Sequence, residues 1–364
     1  VAIEIDRISK WRFIGECLFF GDMDPLTQAS LGAAAAVAFS SREQARWAVL
    51  IGAVAGAVPD LDVLIRSASD PLLSLQYHRH FSHALITAPV IGLCVAAIFK
   101  LLLFRSKVSL QQFALYGVLG ALTHGLLDAC TSYGTMLYWP FSQYRESWDL
   151  ISVVDPIFTL PLALLTLFAF AWRQPRFAQV ALVVCALYFG FCGLQRSRAA
   201  HVAEQLAAER GHQPEQYSIR PSFGNTLLWR MIYRFEGRYY VDAVRIAPGA
   251  ASRLYQGQSV EQFTPAHAAE RVDPASVLGQ DIERFRFFSQ GYLYLHPTDD
   301  QVVGDVRYAM WPDSVVPLWG IRIDPARADQ HTEMLHFRDP SKLARDRLWQ
   351  MIQGREVAVL ESEK

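Results

Sequence analysis

The sequence predicts a polytopic α-helical membrane domain of about six transmembrane helices, followed by a small, mainly antiparallel α+β soluble domain. Three observations predict it. Of 364 residues, 52% are hydrophobic and only 19% charged, and the mean hydropathy is +0.14, apolar for a soluble chain. The apolar residues concentrate between Met23 and Leu194, whereas charge becomes ordinary from Ser197 onward. Within the apolar part, runs at roughly 24–40, 47–65, 84–104, 110–130, 150–172 and 177–195 approach the ~20 residues that cross a bilayer. The expected domains are an N-terminal extension (1–22), a membrane domain (23–195) and a soluble domain (196–364).

Residues 1–22 mix acids into a short apolar core and make a poor signal peptide, so Met23, in MDPLTQASLG, is the expected start. The first run, SLGAAAAVAF, is short and built of small residues that suit close helix packing more than lipid contact. The short turns carry Arg42, Arg46, Arg105, Lys107, Arg173 and Arg176 against one acid, Glu43. The longer loops, 66–83 and 131–149, carry only Arg66, Arg79 and Arg145. The positive-inside rule puts the short turns in the cytoplasm of a bacterial inner membrane, and the long loops and C-terminal domain in the periplasm. The aromatic stretch YGTMLYWPF (133–141) reads as an interfacial belt.

Beyond Leu194, QRSRAAHVAEQLAAERG predicts a helix ending at Gly211. LLWRMIYRF and GRYYVDAVRIA predict a hairpin turning at Glu236–Gly237. Further strands are expected at RFRFFSQGYLYLHP, VVGDVRYAM and LWGIRID, and PSKLARDRLWQMIQG closes the domain as an amphipathic helix. His296 and the Asp299–Asp300 pair read as surface residues. A net charge of −1 without a basic stripe argues against nucleic acid as a partner, leaving the lipid bilayer as the partner that composition requires. Five cysteines (Cys17, Cys94, Cys130, Cys185, Cys192) without CxxC spacing read as free thiols.

Ionisable residues gather where four apolar runs begin or end. Asp60 and Asp62 close the second run, in PDLD. His78, His80 and His83 precede the third, in YHRHFSHA. His124 and Asp128 lie four apart on one helical face of the fourth, and Asp149 and Asp155 open the fifth. On a six-span topology all four ends point to one side of the membrane. Charged groups at membrane depth are costly and pair, line water or serve function. Imidazole nitrogens with carboxylate oxygens suit Zn²⁺ first, with Mn²⁺ or Fe²⁺ as alternatives. Each piece also has a plainer reading: Asp60 and Asp62 as caps, the histidines snorkelling toward headgroups, His124 and Asp128 as a structural pair.

Taken together, MDPLTQASLGAA, PDLD, HRHFSHA, THGLLDACTSYG and WPFS resemble, in order and spacing over roughly residues 23–160, the YdjM-like group of bacterial inner-membrane metal-dependent hydrolases. The resemblance maps that group's Pro-Asp-x-Asp element onto Asp60 and Asp62, its His-Arg-x-x-Thr-His-Ser element onto His78 and His83, and its His-x-x-x-Asp onto His124 and Asp128. Ser82 and Ala84 depart from the usual Thr and Ser, His80 falls at a variable position, and Gln28 stands where many relatives carry His. On this reading Asp62, His78, His83, His124 and Asp128 hold the divalent metal. Asp60 is a ligand or general base, and Arg79 offsets charge on a phosphoester or lipid-related substrate. The rival readings are a non-enzymatic membrane adaptor with a structural His/Asp cluster, and an ion transporter; ligands at helix ends on one side argue against the transporter.

Overall fold

The computed structural model describes residues 24–358. The N-terminal extension (1–22) and the expected start at Met23 lie outside the described residues. The helices are α1 (Pro25–Ala38), α2 (Ala45–Ala57), α3 (Leu73–Tyr77), α4 (Ala88–Leu102), α5 (Leu110–Ala129), α6 (Pro156–Trp172), α7 (Pro175–Glu209), α8 (Pro265–Arg271), α9 (Val277–Phe288) and α10 (Lys342–Gln353). The strands are β1 (Gln216–Pro221), β2 (Leu228–Phe235), β3 (Arg238–Arg245), β4 (Arg253–Tyr255), β5 (Ser259–Glu261), β6 (Leu293–His296), β7 (Asp299–Asp305), β8 (Trp319–Arg322) and β9 (Met334–His336).

Each of the six apolar runs yields a helix, and local capping makes several of them shorter than the run. Asp155 caps α6 by accepting from the Ile157 and Phe158 amides, with Pro156 in the first turn, so that helix starts well inside its run. Pro89 in the first turn of α4 does the same. The second run changes from α2 to a 3₁₀ segment over Val58–Leu64, which carries Asp60 and Asp62. By length and composition, Ala45–Leu64 and Pro175–Glu209 are candidate membrane spans. A third exists if Leu73–His83 and Ala88–Leu102 are counted together, whereas Pro156–Trp172 is apolar but has 17 residues. The described residues thus hold two or three candidate spans, against the six that the apolar runs predict.

The chain divides into two compact units. The first comprises residues 24–61, 81–148 and 153–186. Here α1, α2 and α5 meet through glycine: a Cβ built on Gly32 or on Gly120 would collide with the Gly52 carbonyl oxygen. Backbones approach this closely only where both surfaces are small. The small residues of the first run are therefore contact surface, and residues 31–37 of α1 are buried.

The second unit comprises 62–80, 149–152 and 187–358. One sheet has the antiparallel order β1-β2-β3-β4, with β5 also paired to β3; the other is the antiparallel meander β6-β7-β8-β9. The predicted hairpin turn forms at Glu236 (φ 48°) and Gly237 (φ 69°), the left-handed pair that a two-residue turn requires. The C-terminal part of α7 lays Ala199, Ala203 and Leu206 on Ile219, Trp229, Met231 and Val244 of the first sheet. Arg230 is buried and, among the described residues, pairs with no carboxylate: its guanidinium donates to the Pro312, Ser314 and Val306 carbonyls at 2.9, 2.7 and 2.7 Å, which ties β2 to the loop after β7. Burial pushes its pKa down to about 10, so it remains charged at neutral pH.

One expected strand is corrected. Residues 284–288 of RFRFFSQGYLYLHP are helical, the end of α9, and only Leu293–His296 are extended. The helix is set upstream: Ser276 caps it, and Leu278, Ile282, Phe285 and Phe288 recur at helical spacing and are buried. A window opening at Arg284 misses that period.

Candidate metal centre

In the first unit four side chains converge. α5 supplies His124 and Asp128 one turn apart, the 3₁₀ segment after α2 supplies Asp60, and the short 3₁₀ turn Phe81–His83 supplies His83. One donor atom from each lies within 4.8 Å of all the others. The His83 and His124 Nε2 atoms are 2.8 Å apart. Asp128 Oδ2 lies 3.0 Å from His83 Nε2 and 3.5 Å from His124 Nε2. Asp60 Oδ1 lies 3.4 and 3.3 Å from the same two nitrogens. His83, His124 and Asp128 are fully buried, and the Asp60 side chain retains 16% exposure.

The surroundings fix how these groups face one another. His124 Nδ1 lies 2.6 Å from the Gly56 carbonyl oxygen. A carbonyl only accepts, so Nδ1 carries the hydrogen and Nε2 turns its lone pair inward. His83 Nδ1 lies 3.0 Å from Ser82 Oγ, which can accept in the same way. Gln28 Nε2 donates to Asp128 Oδ1 at 2.9 Å, leaving Oδ2 toward the imidazoles. Both Asp60 oxygens are buried without a hydrogen bond. With Ser82 accepting, two inward nitrogen lone pairs face two carboxylate oxygens, an arrangement that a cation among them stabilises. A tetrahedral ion with bonds of 2.0–2.2 Å would place its donors about 3.3–3.6 Å apart, and the five separations that involve an imidazole nitrogen are 2.8–3.5 Å. The donor set fits a divalent ion.

Glycine again makes the assembly possible. Gly125, next to His124, faces the His83 backbone so closely that a Cβ would overlap the His83 carbonyl oxygen. Gly56, whose carbonyl orients His124, packs against Gly32 and the Gln28 carbonyl.

The remaining sequence-predicted residues are placed otherwise. Asp62 and His78 belong to the second unit and pair with each other, Oδ1 to Nδ1 at 2.8 Å, while Asp62 Oδ2 accepts from the Arg79 amide at 3.0 Å. Arg79 is fully buried in that unit and has a left-handed backbone (φ 58°), which aims its amide at Asp62. Asp60, rather than Asp62, therefore accompanies His83, His124 and Asp128. The His80 ring packs against Tyr77, Asp149 lies 3.8 Å from Arg220, and Asp155 is the α6 cap. His296 stacks on Phe337. Cys94, Cys130, Cys185 and Cys192 are in no disulfide among the described residues, and Cys17 lies outside them.

Sequence reasoning missed Gln28 as a partner of Asp128; only its standing where many relatives of the resembled group carry His marked it. A second group was also missed, Asp70, Asp281 and His331 in the second unit. Its cation is Arg284, which donates to Asp70 at 3.1 and 2.9 Å and to Asp281 at 2.8 Å, so it is an ion-pair network.

A glycine-packed helical region with membrane-length apolar helices and a buried His₂Asp₂ cluster defines an integral membrane protein with a candidate metal centre. Residues 23–199 match the family model described as YdjM inner membrane protein. No curated protein and no solved structure matches the chain.

Proposed function

We propose that this inner-membrane protein is a metal-dependent hydrolase, with His83, His124, Asp128 and Asp60 holding one divalent ion, zinc in first place. The observation that carries the proposal is the convergence of two inward-facing imidazoles and two carboxylates in a buried cluster. When bound, such an ion lowers the pKa of a coordinated water and polarises an ester oxygen. The chain's own groups divide the work. The Gly56 carbonyl holds the His124 tautomer and Gln28 holds Asp128. Asp60, the one partly exposed member and without hydrogen bonds of its own, is the carboxylate free to shift aside and accept a proton. A centre among apolar helices favours a lipid-related phosphoester as substrate. On the same reading the six helices cross the inner membrane, with their arginine-rich turns cytoplasmic and the C-terminal domain periplasmic.

The same geometry supports a second reading. Four protein donors complete a tetrahedron, as in structural sites, whereas a catalytic site keeps a position open. Elemental analysis of the detergent-purified chain tests both readings: a stoichiometric transition metal is expected in the wild type and its loss in His124→Ala. Absence of metal from the wild type would end both. Azide added to the cobalt-substituted protein then separates them, because only a centre with an exchangeable position changes its visible absorption.

A further inference from the structure

We propose that the turn joining α4 to α5 is a binding site for an anionic phospholipid headgroup. A cavity of about 390 Å³ lies there, lined by Trp47, Leu102, Phe104, Arg105 and Lys107 among others. Arg105 and Lys107 are exposed, and among the described residues neither forms an ion pair with a carboxylate. No acidic side chain lines the cavity. Its two cations therefore stand ready for an external anion.

The turn is pre-formed. Lys100, from the last turn of α4, donates to the Ser106 and Val108 carbonyls at 3.1 and 3.0 Å, and the Val108 amide donates to Ser106 Oγ at 3.2 Å. Arg105 is set over the Phe104 ring, its guanidinium carbon 5.4 Å from the ring centroid. An anion entering here meets a pre-formed turn and an Arg105 side chain already held by its ring contact, which lowers the ordering cost of binding.

The apolar neighbours commit the site to a lipid rather than a free phosphate ester. Leu101, Leu102 and Phe104 are 77%, 70% and 70% exposed, so α4 carries a greasy surface up to the charged turn. Trp47 lies in the first turn of α2, where a candidate span begins, and its indole offers an N–H at headgroup level. Headgroup phosphate on Arg105 and Lys107, with acyl chains along Leu101, Leu102 and Phe104, satisfies both surfaces at once. A soluble anion satisfies only the first. The lining of this site shares no residue with the metal centre.

The test uses the full-length chain in uncharged detergent, titrated with brominated phosphatidylglycerol or brominated phosphatidylcholine while tryptophan fluorescence is read. Trp47→Phe identifies the Trp47 component by difference. Phosphatidylglycerol should quench that component saturably and phosphatidylcholine should not. Each cation near an anionic lipid is worth about fivefold, so Arg105→Gln with Lys107→Gln should weaken binding about thirtyfold. Both positions are exposed, and matched melting curves check that the variant folds. Equal quenching by the two lipids, an unchanged affinity in the double variant, or displacement by glycerol phosphate as effectively as by lipid would each overturn the proposal.

Discussion

Gln28 shows what one buried side chain contributes to the centre. Its amide nitrogen donates to Asp128, and the reverse orientation would set two oxygens against each other, so the orientation is fixed by chemistry. Gln28→Leu keeps the bulk and removes the donor, leaving Asp128 Oδ1 less well held at a fully buried position. Loss of a hydrogen bond behind a metal ligand costs about 10–100-fold in affinity. A drop of that order in zinc affinity is expected in a competition titration against a chromophoric chelator, with Gln28→Asn intermediate. Unchanged affinity in Gln28→Leu would mean that Asp128 is not a ligand.

Between elements, the decisive quantity is how closely backbones pass. Gly125 of α5 touches the His83 carbonyl, and an added methyl there has only backbone to displace. Gly125→Ala should therefore push the His83 segment off α5, with a cost of about 1–3 kcal/mol from overpacking and weaker metal binding. Gly190 is the internal control: it lies in α7 and nothing comes within 4 Å of a Cβ built on it. Gly190→Ala should be neutral or stabilising by about 0.5–1 kcal/mol through helix propensity. Thermal melts beside metal titrations read both effects. If the two variants behaved alike, the close approach at Gly125 would not matter to the site.

Across the whole chain, what the sequence reveals depends on whether the signal is local. His124 and Asp128 were legible because a helix puts residues four apart on one face. The choice between Asp60 and Asp62 was not: they lie on a 3₁₀ segment, where residues two apart point about 240° apart, so only one can face a given partner. His78 and His83 read as one cluster until the left-handed Arg79 turned the chain between them. The six helices were visible as apolar runs, but their lengths were set by prolines and caps within those runs. Long-range pairing left no such trace, and the link from residues 62–80 to α9 is the clearest case. Arg284 grips Asp70 through two hydrogen bonds and Gln76 through a third at 3.1 Å. Burial raises the Asp70 pKa, but the Arg284 guanidinium outweighs it and holds the carboxyl below its usual value. A depressed folded pKa stabilises at pH values above the unfolded value of about 3.9, and that stabilisation is lost as pH falls through the folded value. Asp70→Asn should therefore lower stability at neutral pH, by about 1.5–3 kcal/mol for hydrogen bonds to a charged group. Its stability should also vary less with acid than that of the wild type, because the asparagine has no proton to gain. Melting temperatures of the two proteins should differ most at pH 6–7 and converge below about pH 3; a constant gap through that window would show that the Asp70 charge contributes nothing to the link.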